Sequence, residues 1–115
     1  MKKPGILLID DDKNTADGLR KILIQDGYDT SCVYTGNEAL HLIDTEHFDM
    51  VITDMKLPDI SGFSIIEKVK KKDPNIPVIM ITAFSSLQTA IDAMKKGADD
   101  YLTKPVNIEE LELIL

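Results

Sequence analysis

Uninterrupted aliphatic and β-branched runs recur along the chain at "GILLI" (5–9), "MVIT" (50–53) and "PVIMIT" (77–82). A run without polar alternation predicts a strand covered on both faces, as in a parallel sheet. "TSCVY" (30–34) and "DYLT" (100–103) are weaker and predict strands nearer the sheet edges. Between these runs the apolar positions change to helical spacing: Ala16, Leu19, Ile22 and Leu23; Ala39, Leu40 and Ile43; Phe63, Ile66 and Val69; Leu87, Ala90, Ile91 and Met94; Ile108, Leu111, Ile114 and Leu115. Each set predicts a helix with one apolar face. Gly27 and Gly97 stand where helices end, Asn107 before "IEEL" is an expected N-cap, and Pro74 and Pro77 bound a loop. Five βα units in 115 residues are too few to close an eight-stranded barrel. Right-handed crossovers then leave an open, doubly wound α/β sheet of five parallel strands with helices on both faces.

Composition leaves that picture intact and narrows the partners. At 115 residues the chain is expected to form one domain, 1–115. Its 13 Lys and Arg against 20 Asp and Glu give a net charge of −7. That balance disfavours direct binding to nucleic acid or anionic membranes and favours cationic partners or metal ions. Cys32, the one cysteine, sits in the apolar segment "SCVY"; it has no internal disulfide partner and reads as a small buried hydrophobe, which fits a reducing cytoplasm. No apolar run approaches the roughly 18 residues of a membrane span, and "MKKPG" lacks the apolar core of a signal peptide.

Open α/β sheets bind ligands at the carboxyl ends of their strands. At those ends the chain carries Asp10-Asp11-Asp12 after the first strand, Asp54 after the third, Thr82 after the fourth and Lys104-Pro105 after the fifth. Any one aspartate between strand and helix could serve only as an N-cap, and Asp12, nearest its helix, is expected to do so. Thr82 alone would be a strand end, and Lys104 alone a solvated lysine. Capping does not call for a lysine, however, and Asp54 is followed by the loop "MKLPDISG". Two carboxylates about 4 Å apart repel by roughly 4 kcal/mol at an effective dielectric of about 20, so such a cluster must take up a proton or a cation. Hard oxygen ligands on a wet rim favour magnesium, which keeps several waters. Asp10, Asp11 and Asp54 against Lys104 leave a surplus of two negative charges, which one divalent ion balances, with coordination positions left over for phosphate oxygens.

Together and in this order, "LLIDDD", "VITDMKLPDISG", "VIMITAFSS" and "GADDYLTKPVNIEEL" resemble the receiver domain of two-component response regulators, the CheY-like superfamily. The likeness covers essentially the whole chain. "MITAFSSLQTAIDAMKKGADDYLTKPVN" further resembles receivers that precede AAA+ ATPase transcription activators of the nitrogen-regulation type. The resemblance implies the flavodoxin-like strand order 2-1-3-4-5. It also implies that Asp54 is the phosphoacceptor, Asp11 a direct magnesium ligand, Asp10 a ligand acting mainly through water, and the Lys56 backbone carbonyl a further ligand. Thr82 would hydrogen-bond a phosphoryl oxygen and Lys104 would pair with the phosphoryl group, with the Lys104–Pro105 peptide cis. Tyr101 would turn inward as Thr82 moves, changing the surface of the fourth helix, fifth strand and fifth helix.

The chemistry is consistent with those roles: aspartate is already ionised at neutral pH, so Asp54 can attack phosphorus without a general base. Catalysis is then positioning and charge neutralisation, and the protein is not expected to be an enzyme in the ordinary sense. The expected partners are a sensor histidine kinase, a downstream output domain that controls transcription, and a second copy of the chain through the fourth-helix to fifth-helix face, near Lys95, Lys96, Asp99, Asp100 and Tyr101. A stand-alone phosphorelay intermediate or the receiver of a hybrid kinase is the alternative. Because "ELELIL" ends a short way into an amphipathic helix, a fragment of a longer regulator is expected. A dehalogenase-type phosphatase would want a second aspartate two residues after Asp54, where Lys56 stands. "DDDKNT" is a poor phosphate cradle for an electron carrier, and no Gly-rich loop ends in "GK[ST]". A purely structural interaction module is the remaining rival. Lys56 and Phe84, two residues after Asp54 and Thr82, are expected to overlook the path of hydrolytic water and to lengthen the life of an acyl phosphate.

Overall fold

The continuous aliphatic runs form strands and the 3.6-period segments form helices, in strict alternation. A computed structural model describes residues 3–83 and 86–115. The elements are β1 (Gly5–Ile9), α1 (Lys13–Gln25), β2 (Asp29–Val33), α2 (Gly36–Thr45), β3 (Met50–Asp54), α3 (Gly62–Lys72), β4 (Val78–Thr82), α4 (Leu87–Lys96), β5 (Asp100–Thr103) and α5 (Ile108–Ile114). All pairings are parallel and the strand order is β2-β1-β3-β4-β5. The two weaker runs are the edges, as expected.

Successive strand residues point to opposite faces, so each central strand feeds two cores. Leu7, Ile9, Val51, Val78 and Met80 pack under α2, α3 and α4 through Ala39, Ile43, Ile65, Ile66, Val69 and Ala93. Ile6, Leu8, Ile52, Ile79 and Ile81 pack on the other side with Ala16, Leu19 and Leu23 of α1 and Leu111 of α5. This double burial is why β1, β3 and β4 read without polar interruption. Cys32, on an edge strand, is only half-buried.

The helix ends follow local chemistry. Asp12 caps α1, its carboxylate accepting from the N–H groups of Asn14 and Thr15, and Asn107 caps α5 by accepting from Glu110 N–H. Gly27 and Gly97 have φ of 96° and 111°, the left-handed backbone that ends α1 and α4. One helix departs from the pattern. The apolar stripe Leu87, Ile91 and Met94 of α4 is 79%, 38% and 48% exposed, and Ala93 is the residue this helix buries. Among the described residues no helix is long and apolar enough to cross a membrane.

Candidate functional site

Sheet hydrogen bonding runs one step past the strand ends and grips the rim. Asp10 N–H donates to Val33 carbonyl at 3.1 Å, Met55 N–H to Ile81 carbonyl at 3.0 Å and Lys104 N–H to Thr82 carbonyl at 2.8 Å. Asp10, Asp54 and Lys104 are thus carried by backbone that is still part of the ladder. Register sets Asp54 beside Ile81, with Thr82 next on the same strand and opposite Thr103.

Asp10, Asp54 and Thr82 are buried. Lys104 reaches between the two carboxylates: its Nζ donates to Asp54 Oδ2 at 2.7 Å and lies 2.8 Å from Asp10 Oδ2. The second of these is a close ion pair without hydrogen-bond alignment, and Asp10 Oδ2 has no aligned donor. The other oxygens are held by backbone, Asp10 Oδ1 accepting from Asp12 N–H at 2.9 Å and Asp54 Oδ1 from Lys56 N–H at 3.2 Å. Burial pushes the Asp10 carboxyl above the ordinary aspartate range, against the opposing pull of the Lys104 ammonium and Asp12 N–H. For Lys104 burial works downward, but the two carboxylates outweigh it and the net shift is upward.

Carboxylate oxygens of Asp10, Asp11 and Asp54 lie within 4.8 Å of one another, with Asp11 exposed at the mouth. A buried oxygen with no aligned donor and an all-oxygen donor set fit a hard divalent cation. The rim therefore brings together Asp10, Asp11, Asp54, Thr82 and Lys104. The Lys104–Pro105 bond is cis. Lys56 is exposed on the loop after Asp54, and Phe84 lies outside the described residues.

Tyr101 is half-buried on β5, and its hydroxyl is 3.0 Å from Thr89 Oγ1 on α4. Thr89 also closes the capping box of that helix with Ser86. Two residues expected on the α4–β5–α5 face turn elsewhere. Lys96 pairs with Glu67 at 2.8 Å and Asp99 with Lys70 at 2.7 Å, both on α3.

Two supporting residues escape sequence reasoning. Gly62 donates to Met55 carbonyl at 2.7 Å, and a Cβ there would lie 2.2 Å from the Asp54 carbonyl oxygen. The first turn of α3 thus rests directly on the backbone of Asp54, an approach only glycine allows. Asp59 accepts from the N–H groups of Gly36 and Asn37, each at 2.8 Å. The segment "LPDISG" was their one signal, legible as a turn but not as a tether.

Residues 6–115 match the response regulator receiver domain family. The chain belongs to that family. It is 40% identical over 111 residues to the response regulator protein PilR of Pseudomonas aeruginosa and 36% identical over 110 residues to the transcriptional regulatory protein ZraR of Salmonella typhimurium. Both alignments cover 96% of this receiver and 25% of the relative, so the chain spans a quarter of the length of these regulators. Among solved structures, the receiver domain of the Francisella response regulator 1452 superposes with a TM-score of 0.89 at 38% identity, covering 96% of this receiver and 92% of that chain. A response regulator protein from Burkholderia pseudomallei, solved with a phosphorylated aspartic acid, calcium ion and citrate, gives 0.88 at 34% identity over 95% of this receiver and 64% of that chain.

Proposed function

We propose that this receiver accepts a phosphoryl group from the phosphohistidine of a sensor histidine kinase onto Asp54, with magnesium at Asp10, Asp11, Asp54 and the Lys56 backbone carbonyl. The observation that carries the proposal is the convergence of the buried carboxylates of Asp54 and Asp10 on one half-buried lysine, Lys104, beside a third carboxylate. An Asp54 oxygen attacks phosphorus, the new O–P bond forms as the P–N bond breaks, and the leaving imidazole takes the electron pair. Bound magnesium supplies charge neutralisation at the phosphoryl oxygens. Lys104 adds a fixed positive charge on the same side, and Thr82, at the end of β4, offers a hydroxyl to a phosphoryl oxygen. The Burkholderia response regulator solved with a phosphorylated aspartic acid supports aspartyl phosphate chemistry on this fold.

The experiment is incubation with acetyl phosphate and magnesium, followed by intact mass. Wild type gains one phosphoryl group; Asp54→Asn and magnesium-free wild type do not. Unchanged labelling of Asp54→Asn would overturn the assignment. Slow hydrolysis of the acyl phosphate belongs to the same proposal, and faster loss of label from Lys56→Asn tests it.

The output proposed is transcription in the cytoplasm, following relatives such as ZraR. The surface proposed to change is α4–β5–α5, where Tyr101 is tied to Thr89 and the apolar stripe Leu87, Ile91 and Met94 stands exposed. A second copy of the chain is its proposed occupant. Sedimentation with and without acetyl phosphate reads this directly, and an unchanged monomer speaks against it.

A further inference from the structure

The loop after Asp54 is closed at its base and fastened at its tip. At the base, Gly62 N–H donates to Met55 carbonyl at 2.7 Å and an isolated antiparallel bridge joins Lys56 to Ser61. At the tip, Asp59 leaves its own element and caps a helix 22 and 23 residues back in the chain: Oδ1 accepts from Gly36 N–H and Oδ2 from Asn37 N–H. Oδ1 also accepts from Ile60 N–H at 3.1 Å. The local cap of α2 is a different residue, Thr35, whose hydroxyl accepts from Glu38 N–H at 3.2 Å. Helix α2 therefore has two caps, one from its own chain neighbour and one from the loop that carries Lys56.

Steric evidence points the same way. A Cβ on Gly36 would lie 2.1 Å from Ile60 Cγ1 and 3.1 Å from Asp59 Oδ1, so the loop tip presses on α2 where glycine leaves room. Hydrogen bonds from backbone N–H groups hold the Asp59 carboxyl below the ordinary aspartate range, those of Asn37 and Gly36 chief among them. A charged acceptor at a helix N-terminus is the stronger form of this bond.

We propose that Asp59 is a positioning residue: by fastening the loop to α2 it sets the Lys56 carbonyl and the Asp54 carboxylate in place for magnesium. This rests on the phosphoacceptor reading of Asp54. Outer partners that orient metal ligands are commonly worth about tenfold or more in metal affinity, and that is the scale expected here.

The test compares wild type, Asp59→Ala, Asp59→Asn and Thr35→Ala. Magnesium affinity is measured by calorimetric titration of the folded proteins, amide exchange is followed at Gly36 and Asn37, and the magnesium dependence of acetyl phosphate labelling is recorded. Asp59→Ala is expected to weaken magnesium about tenfold, with labelling restored at saturating magnesium, and Asp59→Asn, which keeps one acceptor oxygen, to fall between. Thr35→Ala removes a cap from the same helix without touching the loop and is expected to leave magnesium affinity at the wild-type value. Equal affinity in all four proteins, or equal weakening by Thr35→Ala and Asp59→Ala, overturns the proposal. Should Asp59→Ala fail to fold, Asp59→Asn against Thr35→Ala carries the same comparison. Failure of wild type to take label at Asp54 would instead overturn the phosphoacceptor reading, leaving the calorimetric comparison to stand or fall separately.

Discussion

At Asp10 the proposed magnesium site is set against stability in a single residue. Its carboxyl is fully buried, and Oδ2 has no aligned donor. Without a cation, Asp10 and Asp54 share one ammonium, so one negative charge lacks full compensation. Asp10→Asn removes that charge, keeps the acceptor facing Asp12 N–H and leaves Lys104 paired with Asp54. In magnesium-free buffer this variant is expected to be more stable than wild type by about 1–2 kcal/mol, read from urea unfolding. With saturating magnesium the order is expected to reverse, because wild type, with all three carboxylates of the proposed site, gains more from binding than the variant. Asp59 gives the contrasting case at the surface. Its folded pKa is depressed, so its contribution to stability is full above the unfolded carboxylate pKa and is lost as pH falls through the folded value. The unfolding midpoints of wild type and Asp59→Asn are therefore expected to differ at neutral pH and to converge in acid.

Among the elements, α4 is where hydrophobic periodicity misleads. Leu87, Ala90, Ile91 and Met94 have the spacing of a buried face, yet the helix rests on Ala93 and near Ala98 while its larger side chains overhang. A periodic stripe says that a helix has an apolar side, not that the domain's own core receives it. The pair Leu87→Ser and Met94→Ser should each stay within about 0.5 kcal/mol of wild-type stability while abolishing the proposed phosphorylation-dependent self-association in sedimentation. Leu111→Ala, on the α5 face that is buried, should cost about 2–5 kcal/mol. Helix α3 is anchored differently. Lys70 donates to Ile76 carbonyl and to Asp99, each at 2.7 Å, and Lys72 Nζ reaches the carbonyls of Ile43 and Glu46 at the end of α2. Its basic last turn thus ties neighbouring elements together rather than simply facing water.

Across the whole molecule, what the chain discloses depends on how far apart the interacting residues lie. The rim positions of Asp10, Asp54, Thr82 and Lys104 follow from βα alternation, because the carboxyl end of every strand in such a sheet opens on the same side, whereas the strand order was legible only through the family resemblance. The Asp59 tether to α2 and the Tyr101 bond to Thr89 join separate elements through side chains, and no local pattern announces either. The second of these has an optical consequence. The chain has no tryptophan and three tyrosines, so its ultraviolet emission arises chiefly from Tyr28, Tyr34 and Tyr101. Tyr28 and Tyr34 sit against the α1 side of the sheet, whereas Tyr101 packs on the opposite core with its phenol on α4. Any rearrangement that parts Tyr101 from Thr89 changes one fluorophore of three, and the unlabelled protein then carries its own spectroscopic gauge of the proposed switch.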